Sequence, residues 1–259
     1  MSAPVVATLL RSAVARSALR RGLPRGRVRL ASCRSLAALD RVVATQLVDA
    51  VVVDVRLPGA AAGLVRLRRG FPGIPRFAYT AFRPDDADLL VLCVHDAGAH
   101  PIVEGVEDAV AWDLVLPRGA SAARVAALEG APRILRLVDE LQLRAWAVVV
   151  RGGAGPLRTA AIARALGVSR EHLSRQFGAG GAPNLKRVID LARTATAADL
   201  LANPGYSVRA VAGILGFASA SHLASAARRI AGVTALRLPD LGPRGVLAAF
   251  VRGRTRSRA

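Results

Sequence analysis

Two stretches of this 259-residue chain carry side chains suited to hydrogen-bonding the edges of nucleic-acid bases. Arg170, Glu171, Ser174 and Arg175 form the first, and Ser221, His222, Ser225, Arg228 and Arg229 form the second. An arginine can bond guanine through two parallel N–H donors, and a serine hydroxyl suits several base edges. Ser169 and Ser219 stand just ahead of each stretch as N-caps, and both count among the candidate DNA-contacting residues. A different chemistry is open to Asp54. It ends the apolar run Val51-Val-Val-Asp54, at the edge where ligands bind if this run is a strand of an open α/β sheet.

Each hydrogen-bonding stretch sits in a pattern expected to fold as helix-turn-helix. Ala163 and Ala212 each lie four residues before a glycine, Gly167 and Gly216. A small alanine lets two helices approach, and the glycine permits a sharp turn with positive φ. Leu173 with Phe177, and Leu223 with Ile230, are the inward residues of the second helices, leaving the stretches named above outward. The second unit has one extra residue between its glycine and its leucine. Between the units, Pro183–Ala202 has helical periodicity, with Pro183 in the first turn and Asn203-Pro204-Gly205 as the stop. Some 20 residues at ~1.5 Å each make a rod of ~30 Å, close to the ~34 Å between successive major grooves on one DNA face.

The first half alternates strand and helix patterns. Strands are expected at Val5–Leu10, Arg27–Cys33, Ala50–Val55, Arg76–Thr80 and Ile102–Glu104, and helices at Ser12–Arg21, Leu36–Gln46 and Asp86–His95, with turns at Pro58-Gly59 and Pro72–Pro75. This order implies an α/β domain, a flavodoxin-like doubly wound parallel sheet, followed by an all-α C-terminal domain with two helix-turn-helix units. The expected boundaries are 1–118 for the sheet domain, 119–150 for a helical connector or dimerisation helix, 151–241 for the helix-turn-helix domain and 242–259 for a basic mobile tail. Arg151-Gly-Gly-Ala-Gly-Pro156 reads as a flexible joint. A phosphate cradle is the sharper reading, but no Gly-Lys-Ser/Thr follows it.

Charge follows this division. The chain carries 37 Lys and Arg against 18 Asp and Glu, a net of +19. Residues 1–140 hold 19 arginines and 14 acids, whereas residues 141–259 hold 18 basic residues and four acids. Basicity gathered on the helix-turn-helix half is the footprint of a polyanion binder. The arginine-rich, alanine-rich usage also fits a GC-rich genome. The N-terminus has no acid before Asp40, as in a transit peptide, yet Val5–Leu10 reads as a buried strand. Neither Cys33 nor Cys93 lies in a CxxC, and His95, His100, His172 and His222 are scattered, so neither a metal site, a cofactor nor a catalytic set is expected. No apolar run approaches the ~18 residues of a membrane span.

Residues 151–241 resemble the C-terminal DNA-binding domain of AraC/XylS-type transcription regulators. The carrying residues are Ile162-Ala163, Leu166–Ser169, Leu173–Phe177, Ala198–Leu201, Ser207-Val208, Ile214–Phe217 and Gly232–Thr234. Ala235 replaces the usual proline after Thr234, and Arg193 only approximates the arginine of the family's linker helix. The second recognition helix is poor in bulky polar side chains, which points to phosphate contacts there.

Residues 3–117 resemble, less closely, a response-regulator receiver domain. Asp54 matches the phosphoacceptor and Thr80 the switch hydroxyl. In receivers an acidic pair after the first strand holds Mg²⁺ and a lysine follows the fifth strand; here Arg11-Ser12 and Ile102-Val-Glu104-Gly105 stand there. The resemblance therefore implies a degenerate receiver used for dimerisation or signal input, in which Asp54 is open to pairing with a nearby arginine. The combined reading is a cytoplasmic, bacterial, sequence-specific regulator of transcription that binds double-stranded DNA and is not an enzyme. A homodimer and a contact with RNA polymerase are open as further partners. The rival readings are a response regulator phosphorylated at Asp54, a non-specific architectural DNA protein, and a DNA-repair enzyme, which would need a reactive cysteine.

Overall fold

The run Val48–Asp54 has β-branched or small residues pointing to both sides, and all seven of its residues are buried. Such a strand belongs in the middle of a parallel sheet covered on both faces. In the computed structural model, which describes residues 5–22, 28–151, 158–177 and 181–256, it is the central strand β3 of a five-stranded sheet. The strands are β1 (Val5–Leu9), β2 (Arg29–Ser32), β3, β4 (Arg76–Thr80) and β5 (His100–Val103), in the order β2-β1-β3-β4-β5 and all parallel. Reversal of strand order between β1 and β3 makes this a doubly wound sheet, with the carboxyl ends of those strands at its switch point.

Side chains alternate between two cores. On one face Ala7, Val51 and Val53 pack with Leu39 and Val43 of α2 (Leu36–Thr45) and with Leu64 and Leu67 of α3 (Ala60–Gly70). On the other face Val6, Val52, Phe77 and Ile102 pack with Leu19 of α1 (Ala13–Gly22) and Trp112 of α5 (Ala111–Arg118). The indole N–H of Trp112 donates to the Leu19 carbonyl at 2.6 Å, satisfying the polar edge of a buried ring.

Helices α3 and α5 are additions to the sequence reading. Both lack a start signal: α3 begins after Gly59 in the left-handed region (φ 75°) and α5 after Val110, and neither has a side-chain N-cap. The expected helix over Asp86–His95 is instead a 3₁₀ turn (Pro84–Asp86), a short α4 (Ala87–Val91) and a π-helical turn (Leu92–Asp96). The fifth strand begins two residues earlier than expected and ends at Val103, leaving Glu104 just past it.

The chain divides into two compact units, Ala3–Ala123 with Asn203–Tyr206, and Arg124–Ala202 with Ser207–Ala259. The second is all-helical: α6 (Ala120–Ala127) leads into α7 (Ala131–Ile134), α8 (Glu140–Arg151), α9 (Thr159–Leu166), α10 (Arg170–Gln176), α11 (Leu185–Leu201), α12 (Val208–Ile214), α13 (Ala220–Ala231) and α14 (Leu238–Arg256). The stretch 119–150, expected as a helical connector or dimerisation helix, is helical as α6, α7 and α8, and from Arg124 it belongs to the second unit, where Ala145, Trp146, Val149 and Val150 bury one side of α8. Ile134 and Val138 in it are exposed. The joint at 152–156 lies outside the described residues.

The tail departs from the mobile segment expected over 242–259. From Pro243 to Arg256 it is helical, as the second arm of α14, which kinks at Gly242 (φ 59°). Val246, Leu247 and Phe250 are buried, and the Arg187 guanidinium sits 5.1 Å above the Phe250 ring. The flanking arginines made this segment look solvated, but its apolar residues recur at helical spacing and cover α11. Phe250→Ala is therefore expected to lower unfolding free energy by ~3–5 kcal/mol in urea titrations, where a mobile tail would give a change near zero.

Candidate functional site

Both turn glycines adopt the positive φ their pattern calls for, 71° at Gly167 and 67° at Gly216. Each recognition helix then opens on a capped serine. The Ser169 hydroxyl accepts from the His172 N–H and the Ser219 hydroxyl from the His222 N–H, both at 3.1 Å. Leu173 and Phe177 bury α10, while Leu223 and Ile230 bury α13. The remaining faces are in solvent: Ser169, Arg170, Glu171, Ser174 and Arg175 are all exposed, as are Ser219, Ser221, His222, Ser225, Arg228 and Arg229.

The helix between the units, α11, has 17 residues, about 25 Å long at 1.5 Å per residue. Asn184, not Pro183, begins it, its side-chain oxygen accepting from the Arg187 N–H at 2.9 Å. Proline therefore lies ahead of the cap, and the rod is shorter than the sequence implied. It is also far more than a spacer. Asp190 accepts from Arg229 at 2.9 Å, which ties one outward arginine of α13 to the rod. Arg193 donates to the Leu215 carbonyl at 3.0 Å and lies 3.9 Å above the Phe217 ring. Burial pushes the Arg193 pKa down from its usual value. On α10, the Gln176 carbonyl accepts from the side-chain amide of Gln142 on α8 at 2.6 Å. These anchors come from distant positions, and only Arg193 carried a sequence signal.

The carboxylate site at the sheet's carboxyl edge is closed. Asp54 ends β3 fully buried. Arg56 grips both of its oxygens, Nε to Oδ1 at 2.9 Å and Nη2 to Oδ2 at 3.1 Å, and its backbone N–H reaches Oδ1 at 3.0 Å. The same guanidinium donates to Glu104 Oε2 at 2.6 Å. The Asp54 hydrogen bond raises the Arg56 pKa further above its usual value, so the fork stays charged. The hydroxyl of Thr80, which ends β4, donates to buried Asp86 at 3.2 Å and accepts from the Phe82 N–H at 3.0 Å. Receivers hold Mg²⁺ at this edge, and these residues do not fit it. The two carboxylates present are already bridged by a cation, and Arg11 offers Asp54 only a backbone N–H at 3.4 Å. Glu104 stands where a lysine was expected, and Arg56 supplies the positive charge from two positions beyond Asp54. Among the described residues no group of three or more His, Cys, Asp or Glu could hold a metal ion, and no helix is long and apolar enough to cross a membrane.

Comparison with known families then decides what the capped pair of units is. Residues 162–238 match the model of a helix-turn-helix domain family. The chain carries an AraC-type helix-turn-helix DNA-binding domain. This AraC-type domain spans both recognition helices, α10 and α13, together with the rod. No curated protein matches the chain. Among solved structures it is similar to the signal receiver domain of an HD domain-containing protein from Pseudomonas fluorescens Pf-5, at 19% identity and TM-score 0.40 over 44% of this chain and 94% of that one. It is similar also to a response regulator from Thermotoga maritima, at 20% identity and TM-score 0.40 over 45% of this chain and 97% of that one. Full-length FixJ from B. japonicum aligns at 17% identity and TM-score 0.40 over 74% of this chain and 97% of that one. The strand order of the N-terminal unit is itself that of a receiver-like fold.

Arg56→Ala would leave Asp54 buried without its counter-charge. The expected loss is roughly 3–5 kcal/mol of stability by chemical denaturation, and Asp54→Asn in the same background should recover part of it. A loss below ~1 kcal/mol would show that the pair is solvated and unimportant.

Proposed function

We propose that the chain is a sequence-specific, DNA-binding regulator of transcription in the cytoplasm. Its two helix-turn-helix units read neighbouring major grooves, and its receiver-like unit serves dimerisation or signal input without phosphorylation. The observation that carries this is the pair of capped recognition helices, each with a buried leucine and an exposed polar face. The electrostatics agree, with 18 basic residues against four acids beyond residue 140. The rod supplies about 25 Å of the ~34 Å groove spacing, and the turns and helices at its ends supply the remainder. Contacts differ between the units. Arg170 and Arg175 on α10 have the reach for base edges, while α13 offers serines, His222, Arg228 and a tethered Arg229, a set suited to phosphates.

Against phosphorylation stands the Arg56 fork, which occupies both oxygens of Asp54. Against a cysteine-dependent repair enzyme stands the burial of both thiols, which pushes Cys93 up to about 11 and raises Cys33 as well.

Random-site selection with the full chain, followed by competition in salt, tests the reading. A selected site should win over random DNA by ~10³ or more; equal binding to both would make the protein architectural. Arg170→Ala and Arg175→Ala should each cost ~1–3 kcal/mol on the selected site and relax base preference. Acetyl phosphate with Mg²⁺ should leave the chain unlabelled, and a label abolished by Asp54→Asn would overturn the phosphorylation-free assignment.

A further inference from the structure

Helix α4 of the receiver-like unit buries none of its five residues. The π-helical turn that follows buries only Cys93. Across this stretch Phe82, Leu89, Val91, Leu92 and Val94 are exposed, Phe82 to 62% and Val91 to 63%. Single exposed apolar residues are ordinary, but here only Leu90 of α4 packs on the sheet core, and the apolar residues on either side of it gather in solvent as a patch. Phe82 adds a second observation, since it is held at φ 57° in the left-handed region, a strained state for an aromatic residue. The stretch is also acidic. Residues 81–110 hold seven acids and one arginine in a chain whose net charge is +19.

The helical unit presents a complementary feature. A groove of about 550 Å³ is lined by Ala126, Ala127, Ile134, Leu247, Ala248 and Val251, with Arg244 and Arg252 at its wall and Glu129 as its one acid. Ile134 is 49% exposed within it. Arg244 donates to the Ala127 carbonyl at 3.4 Å, which places its guanidinium beside the floor of the groove.

We propose that α4 of one copy docks in this groove of a second copy, and that the reciprocal contact closes a two-fold dimer. The proposal deepens the assignment of the receiver-like unit to dimerisation and rests on it. Leu89 and Leu92, three apart on a helix, are the anchors of a helix-in-groove contact. Asp85 and Asp88 meet Arg244 and Arg252. Self-complementary packing of α4 on α4 is the weaker geometry, because it sets Asp85, Asp88 and Asp96 of the two copies against one another. In a two-fold arrangement each copy gives one helix and one groove, so no surface is left to propagate.

The test is sedimentation velocity of the full chain over about 1–100 μM. Asp85→Arg with Asp88→Arg makes the helix basic; Arg244→Glu with Arg252→Glu makes the groove acidic. Each double variant alone should dimerise at least about tenfold more weakly than the unaltered chain. Mixed in equal amounts they should restore the dimer, because both contacts are then oppositely charged. Restoration also shows that both variants are folded, with circular dichroism as the independent check. A chain monomeric throughout the range, either variant dimerising as the unaltered chain does, or a mixture no tighter than its components would overturn the proposal. Arg170→Ala separates the two readings. It should leave the dimer intact while relaxing site selection; a variant that also lost the dimer would overturn the proposal, whereas an unaltered chain that dimerises but selects no site would count against DNA readout alone.

Discussion

Burial of α11 is the constraint on which the helical unit depends. Eleven of its residues are buried, among them Val188, Leu191, Ala192, Ala195, Ala197 and Ala198. The alanines let neighbouring backbones approach closely, so one helix can serve as the core for several others. A chain with only 4% aromatic residues has few large side chains to fill space, and close helix approach takes their place. Polar ties then fix rotation where packing alone would let a helix turn about its axis. Arg229 on Asp190 and Arg193 on Leu215 orient the second helix-turn-helix unit from the rod itself. The outward faces of α10 and α13 are consequences of this inward fastening.

In the receiver-like unit an internal cation stands where that fold elsewhere recruits a metal and a lysine. Arg56 is a planar fork that satisfies both oxygens of Asp54 and still reaches Glu104. A buried carboxylate needs hydrogen-bond partners for its oxygens, and the planar guanidinium supplies them from within the chain. The same arrangement leaves both Asp54 oxygens hydrogen-bonded within the protein. The Thr80 hydroxyl is likewise held, donating to Asp86. Exposed apolar side chains of this unit include Phe82, Val91 and Leu92, on the acidic stretch around α4.

Legibility followed the strength of local signals. The helix-turn-helix units were readable because alanine, glycine, serine and leucine each do one local job there: close approach, positive φ, capping and burial. The sheet was readable because five apolar runs alternate with helical patterns. Helices α3 and α5 were not, because each begins without a capping side chain. The helical tail was hidden by its arginines, whose charge masked Val246, Leu247 and Phe250 at core spacing. A pairing of Asp54 with a nearby arginine was legible, and Arg56 two positions on is that residue; its second link, to Glu104, spans 48 residues and has no local signal.

The sequence by itself determined where chain segments bend and which sides of them are apolar, since turn glycines, caps and periodicities act within a few residues. It determined too that positive charge gathers on the helix-turn-helix half. Only tertiary structure decided which polar groups find one another: Asp190 with Arg229 across 39 residues, Arg56 with Glu104 across 48, and the Gln142 amide with the Gln176 carbonyl at the end of α10 across 34. Such pairs depend on distances set by packing of whole elements, and no local pattern encodes them.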